Sequence, residues 1–236
     1  MKMLALDTST LVLGVAVVEE GHVLGEVTTN LKKNHSVRLM PTINHLLTDL
    51  GLSINDIDVI AVAQGPGSYT GVRIGVTTAK TMAWSLKLPL IGVSSLETLA
   101  SNGNRFTGKI VPMFDARRRR IYTGLYQWTD GSGKKDAPEG VRPLDEWLLY
   151  LKDKGPLLFL GDDVASFRPM IIEAVGEDAF FGYADENIPR ASRLAQIAWE
   201  KWKKGESVDA HSFVPEYLQL TEAETKWKEK QQGDHT

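Results

Sequence analysis

Two stretches of the sequence combine residue types that can bind a phosphate group. The first is Asp7-Thr8-Ser9, where a carboxylate and two hydroxyls follow an apolar run. The second runs from Gln64 to Gly75, between a β-branched run and a helix rich in small residues. A glycine turn before a helix N-terminus offers backbone N–H groups to an anion, and a carboxylate at a strand end can hold a hydrated cation. The candidate cleft residues are Asp7, Thr8, Ser9, Gly65, Gly67, Ser68, Thr70 and Gly71.

The glycine pattern of the second stretch differs from the known nucleotide-binding motifs. A Walker A motif requires G-x-x-x-x-G-K-[ST], but Val72 follows Gly71. A dinucleotide fingerprint requires G-x-G-x-x-G, but the third glycine comes one residue late. The loop is therefore interpreted either as an anion site or as a structural turn built on Pro66. For Asp7–Thr10 the alternative is a simple Asx or ST turn.

Composition excludes several classes of protein. The chain has 236 residues, 42% of them hydrophobic and 24% charged, which is typical of a soluble globular protein. The absence of cysteine excludes disulfides, Cys-ligated metals and thiol catalysis. A net charge of -3 argues against an autonomous nucleic-acid-binding protein. Since no apolar run approaches the ~20 residues of a membrane span, and the N-terminus reads as a strand rather than a signal peptide, we expect a cytoplasmic protein with no membrane contact.

The elements that must position these residues alternate along the chain. The first half predicts the order β-β-β-α-β-α-β-α, with a meander over 3–29 and later strands at 58–63 and 89–93. This order is typical of a mixed sheet flanked by helices. After the polar stretch 101–108, a strand that ends in Asp115 begins a similar pattern, so we expect two similar lobes facing a cleft. The predicted units are an N-terminal lobe 1–104, a smaller C-terminal lobe 105–220 and a charged tail 221–236.

A helix is predicted over 35–50, with Asn34 or Ser36 as its N-cap. Its apolar residues spread over about half of the cylinder, more than the ~100° stripe that one core contact needs. Either part of this face binds a partner helix, or the helix lies between two layers of its own fold. An H-x-x-x-H metal pair is absent because Leu39 stands four residues after His35. The candidate interface residues are His35, Val37, Arg38, Met40, Ile43 and Leu47.

The second half contains a run of four arginines, Arg117–Arg120, between two predicted strands. Four consecutive arginines cannot all be buried. They either protect a strand edge by charge or contact a phosphate or an acidic partner surface, for which the guanidinium geometry is suited. The candidate contact residues are Arg117, Arg118 and Arg119. The polar, glycine-rich stretch 130–140 that follows predicts a flexible loop.

Several motifs together resemble the TsaB family, also called YeaZ. Gly65–Gly75 is similar to the family signature G-P-G-S-[FY]-T-G-[LV]-R-I-G, and Leu4–Ser9 resembles the first phosphate loop of the actin and sugar-kinase superfamily. The resemblance extends from residue 4 to about 218. It implies an α/β, two-lobed, actin-like or ribonuclease H-like ATPase fold with mixed β-sheets flanked by helices. Further similar motifs are His35–Pro41, Val93–Glu97, Asp115–Arg118 and Pro215–Leu218.

The resemblance also implies a function. TsaB-like proteins are non-catalytic partners of TsaD, which places a threonylcarbamoyl group on N6 of the adenosine beside the anticodon in tRNAs that read A-starting codons. It implies that this chain binds TsaD, that TsaE is also required, that tRNA is reached indirectly through the complex, and that the chain alone forms a homodimer. The helix over 35–50 would be the interface.

Catalysis and cofactors are assigned to the partners by the same resemblance. It implies no catalytic residue, no metal site and no cofactor bound by this chain alone, since ATP, Mg²⁺ and the metal belong to the partner complex. One departure supports this: the sequence reads Gly161-Asp162-Asp163 where the family pattern usually has a second glycine, and paired carboxylates repel a phosphate unless a cation intervenes. The alternative function is a small-molecule phosphotransferase of the same superfamily. No Ser-His-Asp, Cys-His or zinc arrangement in the sequence supports a peptidase.

Overall fold

The first half of the chain forms a five-stranded mixed sheet covered by helices. The computed structural model describes residues 1–129 and 132–219. In the first sheet the strand order is β3-β2-β1-β4-β5, with β1, β2 and β3 antiparallel and β1, β4 and β5 parallel. The elements are β1 (Lys2–Asp7), β2 (Val12–Glu19), β3 (His22–Asn30), α1 (His35–Asp49), β4 (Val59–Gly65), α2 (Tyr69–Leu86), β5 (Leu90–Ser94) and α3 (Ser95–Ala100).

The second half repeats the same sheet topology. Its strand order is β10-β9-β6-β7-β8, again with an antiparallel meander on one side and parallel strands on the other. The predicted two-lobed α/β fold with mixed sheets is therefore confirmed. The elements are β6 (Lys109–Asp115), β7 (Arg120–Thr129), β8 (Ser132–Pro143), α4 (Leu144–Leu151), β9 (Leu157–Leu160), α5 (Val164–Val175), β10 (Ala179–Phe181) and α6 (Ala191–Lys203).

Local signals place the two helices that border the candidate site. Asn34 caps α1, because its side chain accepts a hydrogen bond from the Ser36 amide. Ser68 caps α2 through a 3.3 Å bond from the Gly71 amide to its Oγ. Both helices bury one face against the first sheet in a common apolar core, so their N-termini lie near the ends of β1 and β4.

The prediction of a flexible loop over 130–140 is wrong, because most of this stretch belongs to strand β8. Strand β8 pairs with β7 along most of its length, and residues 130 and 131 lie outside the described part of the chain. The strand stands at the edge of its sheet, where polar residues are common because one side is open to water. Pairing with β7 therefore makes this segment a strand, although its amino-acid composition is typical of a loop.

The C-terminal part of the chain returns to the first sheet. Helix α6 packs on the face of that sheet opposite to α1 and α2, through residues such as Leu194. Phe213 joins the apolar core under α1 and α2. This packing corrects the predicted boundary, which placed all of 105–220 in the second lobe. The predicted charged tail 221–236 lies outside the described residues.

Candidate functional site

The two candidate phosphate-binding stretches meet in the fold and bind each other. The Ser68 amide donates to the Ser9 carbonyl at 2.7 Å. Thr8 Oγ1 donates to the Gly71 carbonyl at 2.8 Å. Thr8 and Ser9 are buried, whereas Ser68 and Thr70 lie exposed at the rim. The donors that a phosphate would need are therefore partly used by contacts within the chain.

The glycines of the loop are explained by this close approach. A Cβ at Gly67 would lie 2.1 Å from the Ser9 carbonyl oxygen, and a Cβ at Gly71 would lie 2.2 Å from the Thr8 carbonyl oxygen. Both distances are far below van der Waals contact, so no larger residue fits without moving the backbone. The space beside these glycines is filled by the turn after β1, and a phosphate cannot occupy it at the same time.

The C-terminal segment 208–219 packs against the other side of the loop. The Glu216 amide donates to the Gln64 carbonyl at 2.8 Å, and Gln64 Nε2 donates to Glu216 Oε2 at 2.9 Å. Gly65 has φ +108°, and its Cβ would lie 2.7 Å from the Glu216 carbonyl oxygen. The Tyr217 ring lies 5.1 Å from that of Tyr69. The family-like motif at 215–218 thus packs directly on the signature loop.

Asp7 is almost completely buried, with 1% of its surface exposed. Its Oδ1 accepts hydrogen bonds from the Ser9 amide at 2.8 Å and from Ser9 Oγ at 2.7 Å. Burial raises the pKa of the Asp7 carboxyl above its ordinary value, against the opposing effect of the Ser9 hydrogen bonds. Asp7 therefore presents no accessible oxygen to a hydrated cation, and its bonds to Ser9 favour the Asx-turn interpretation.

The cleft between the lobes is small. A cavity of about 70 Å³ separates the turn after β1, near Thr10, from the second acidic turn at Asp162 and Asp163. Ligand pockets are usually ~300–1,000 Å³. The acidic turn binds protein groups, since Asp162 accepts from Asn30 Nδ2 at 2.7 Å and Asp163 accepts from the Asp115 amide at 2.9 Å. The space between the lobes is therefore smaller than a usual ligand pocket.

The described residues contain no group of three or more His, Asp or Glu side chains placed to hold a metal ion. None of the helices in this part of the chain is long and apolar enough to cross a membrane.

Helix α1 divides its wide apolar face between the core and solvent. Val37 and Met40 are 68% and 50% exposed and lie about one turn apart. Ile43 and Leu47 are only 2% and 5% exposed, because they pack in the core under the first sheet. Of the predicted apolar interface residues, Val37 and Met40 remain available to a partner, and the assignment of Ile43 and Leu47 is wrong.

The two polar residues predicted for this interface also hold α1 in place. His35 is 9% exposed, and its Nε2 lies 2.8 Å from the Thr10 carbonyl oxygen. Arg38 is half-buried and donates through Nη2 to Thr29 Oγ1 on β3. Both contacts tie the first turn of α1 to the first sheet. The contact of His35 and Arg38 with a partner stays a prediction.

The arginine run forms the turn of a hairpin between β6 and β7. Arg117, Arg118 and Arg119 all have left-handed backbones, with φ of 63°, 54° and 57°. Left-handed backbone is unfavourable for side chains larger than glycine, and local bonds hold it here. The Arg117 amide donates to Asp115 Oδ1 at 2.8 Å, and Arg119 Nη2 donates to Asp145 Oδ1 at 3.0 Å. Since β6 and β7 are interior strands, the edge-protection interpretation is wrong.

One polar cluster between the lobes was not predicted. The Glu139 carboxylate of β8 accepts from Ser94 Oγ at 2.8 Å and from the Tyr126 hydroxyl at 2.5 Å. Lys135 Nζ lies 2.6 Å from the same carboxylate. Burial, followed by the charge of Glu139, raises the pKa of the Tyr126 hydroxyl. Because 130–140 reads as a loop in the sequence, no sequence signal placed Glu139 against the end of β5.

The chain is similar in sequence to known proteins over nearly its whole length. Residues 22–227 match the family described as "TsaD: tRNA N6-adenosine threonylcarbamoyltransferase". The chain is 51% identical over 232 residues to the "tRNA threonylcarbamoyladenosine biosynthesis protein TsaB" of Bacillus subtilis (strain 168), covering 98% of this chain and 100% of the relative.

Solved structures agree with this similarity. YeaZ from Pseudomonas aeruginosa has a TM-score of 0.79 at 29% identity and covers 92% of this chain and 99% of its own. An inorganic polyphosphate/ATP-glucomannokinase from Arthrobacter sp. strain KM has a TM-score of 0.51 at 9% identity, over 84% of this chain and 99% of its own, which shows a common fold only. The chain belongs to the family that the matching model describes, and within it to the TsaB (YeaZ) proteins.

Proposed function

We propose that this chain is the TsaB-type subunit of tRNA threonylcarbamoyladenosine biosynthesis and that it acts by binding TsaD, without transferring the group itself. The observation that carries the proposal is the 51% identity to a TsaB protein over 98% of this chain and 100% of the relative. We place the chain in the cytoplasm, where it meets TsaD and TsaE and reaches tRNA through the complex.

The filled cleft supports a binding role over a catalytic one. Backbone from the turn after β1 occupies the space beside Gly67 and Gly71, and the cavity between the lobes holds about 70 Å³. A phosphotransferase needs room for a nucleotide and an accessible carboxylate for its metal. Asp7 is buried and engaged by Ser9. We therefore propose that the chain binds no cofactor alone and that ATP, Mg²⁺ and the transferase metal are held by the partners.

The exposed part of α1 supports the location of the TsaD interface. Val37 and Met40 form an α1 patch that also includes the exposed Pro41. Contiguous exposed apolar side chains mark protein-binding surfaces. His35 and Arg38 fix the helix that carries this patch. The patch is therefore already ordered before binding, and little conformational entropy is lost when a partner binds. We propose that the same patch forms the homodimer when TsaD is absent.

Reconstitution tests the proposed role. Purified chain, TsaD and TsaE are mixed with tRNA, ATP and threonylcarbamoyl-adenylate, and each protein is omitted in turn. We expect modified adenosine only when the chain and TsaD are both present, and none from the chain alone. Modification by the chain alone would contradict the proposal, as would full activity without it. Phosphate transfer from ATP to a sugar or acid by the isolated chain would instead support the kinase alternative.

A second prediction concerns the arginine turn, which we propose contacts tRNA in the complex. Arg117 is exposed on a backbone held by Asp115, and arginine binds phosphate oxygens in pairs. Arg117→Glu is expected to weaken tRNA binding by the assembled complex. It should also reduce the slope of log K against log[salt] by about one, the value for one lost phosphate contact. Fluorescence anisotropy with labelled tRNA at several salt concentrations measures both effects.

The matched control for this prediction is Lys87→Glu. Lys87 is also exposed and left-handed, with φ 56°, but lies at the end of α2. This control should bind tRNA like the wild type. If Arg117→Glu weakens TsaD binding and leaves tRNA binding unchanged, the turn contacts the partner protein and the tRNA assignment is wrong.

A further inference from the structure

Glu139 is a buried carboxylate at the contact between the two lobes. It lies on β8 of the second sheet, and only 6% of its side chain is exposed. Its Oε2 accepts a 2.8 Å hydrogen bond from Ser94 Oγ, at the end of β5 in the first sheet. Its Oε1 accepts from the Tyr126 hydroxyl at 2.5 Å and lies 2.6 Å from Lys135 Nζ. One carboxylate therefore joins a donor of the first lobe to two donors of the second.

Ser94 uses its hydroxyl group for two bonds at this contact. Its Oγ accepts from the Glu97 amide at 3.2 Å and so caps α3. A serine hydroxyl also carries one hydrogen to donate, and this hydrogen is directed to Glu139. Ser94 is 5% exposed, so little water competes for either bond. The same residue thus starts α3 and connects the first sheet to β8.

The other contacts between the lobes are less directional or less protected. Helix α3 packs on the second sheet through apolar residues such as Leu96 and Leu99. Apolar burial has no preferred direction, and packed elements can slide or rotate on such a surface. The hydrogen bond from Asn30 to Asp162 is directional but exposed, so water replaces it at little cost. The bond between Ser94 and Glu139 is both directional and buried.

Rotation of one lobe against the other would separate Ser94 from Glu139 and remove a donor from a buried carboxylate. The loss of a hydrogen bond to a buried charge is strongly unfavourable, whereas a fully bonded buried network makes a structure rigid. We propose that Glu139 is an interlobe lock, in which its bond to Ser94 fixes the angle between the two sheets. The lock holds the α1 patch of the first lobe and the arginine turn of the second at a constant separation.

Single-molecule energy transfer between the lobes tests the lock. The natural chain has no cysteine, so Thr81→Cys and Glu173→Cys introduce two unique sites for a donor and an acceptor dye. Both positions are exposed, Thr81 on α2 of the first lobe and Glu173 on α5 of the second. At picomolar concentration a homodimer does not contribute to the signal. We expect a single narrow distribution of transfer efficiency for the doubly labelled chain.

Two substitutions of equal size at Ser94 separate the lock from the helix cap. Asparagine and aspartate both cap a helix well. Ser94→Asn keeps a donor for Glu139 in its Nδ2, whereas Ser94→Asp places a second carboxylate there. We expect Ser94→Asn to keep the narrow distribution and Ser94→Asp to broaden or shift it. The same distribution in both variants would overturn the proposal, because the hydrogen bond would then have no effect on the lobes.

Glu139→Gln removes the lock from the other side and has a matched control in the same chain. Glu26 is also a buried carboxylate, with 9% of its side chain exposed, and it accepts from Arg190 and Ser192. It joins β3 to the start of α6, and both pack in the first lobe. Each substitution should lower the stability in urea. Only Glu139→Gln should change the transfer distribution.

Two results of this comparison would contradict the lock. A wild-type distribution in folded Glu139→Gln would show that the packing of α3 alone sets the angle between the lobes. An equal change in Glu26→Gln would show a general loosening of the fold. If Glu139→Gln does not fold, the comparison of the two Ser94 variants still decides the question. None of these measurements involves TsaD, so their outcome is independent of the proposed function.

Discussion

Met40→Glu is expected to weaken TsaD binding by at least about 30-fold while the isolated chain stays folded. Met40 is exposed and lies about one turn from Val37 at the centre of the α1 patch, so its replacement disturbs no core contact. Hot-spot residues near the centre of an interface cost ~2 kcal/mol or more when they are truncated, and a carboxylate enclosed there is left without a partner. Calorimetric titration with TsaD measures the affinity, and thermal unfolding checks the fold.

The same variant tests the proposed homodimer, which would use the same surface. Sedimentation should show Met40→Glu as a monomer at concentrations where the wild type is a dimer. Thr48→Glu is the matched control: it adds the same charge to an exposed polar position two turns further along α1 and should leave both associations unchanged. If folded Met40→Glu binds TsaD with wild-type affinity, the α1 patch is not the interface.

Leu47→Glu cannot serve this purpose, although the sequence suggests it equally well. Leu47 packs in the core between α1 and the first sheet. A charge there would unfold the chain rather than report on the interface. Loss of TsaD binding in that variant would therefore carry no information about the binding surface.

Gly71→Ala is expected to destabilise the chain by about 2–6 kcal/mol. The new methyl group would lie 2.2 Å from the Thr8 carbonyl oxygen, so the start of α2 must move away from the turn after β1. That movement also breaks the buried bond from Thr8 Oγ1 to the Gly71 carbonyl. Overpacking and the loss of a buried hydrogen bond each cost about 1–3 kcal/mol. Urea unfolding measures the change in the free energy of unfolding.

Gly140→Ala provides the comparison for this prediction. The nearest atom outside the neighbouring residues lies 3.8 Å from a Cβ at Gly140, so a methyl group fits and the stability should change by less than about 0.5 kcal/mol. If Gly71→Ala kept wild-type stability but abolished TsaD-dependent modification, the glycine would serve a ligand or partner, and its packing role would be wrong.

Local patterns in the sequence determined the elements and their order. Alternation and β-branched runs identified the first meander and the strand before Gly65, and the asparagine at 34 marked the start of α1. The glycine spacing from Gly65 to Gly75 predicted a turn before a helix, without deciding between an anion site and a structural turn. These features depend on neighbours within a few residues, which is why they can be read without the fold.

Only the tertiary structure decided what those elements contact. The apolar residues of α1 look alike in sequence, yet the sheet beneath the helix buries Ile43 and Leu47 and leaves Val37 and Met40 exposed. The loop glycines could have bound a phosphate, but Ser9 and Glu216, which are remote in the chain, occupy the space beside them. Close approach between distant segments leaves no local signal in the sequence. The sequence therefore determined that a glycine loop is present, and the fold determined that other segments of the chain occupy the space beside its glycines.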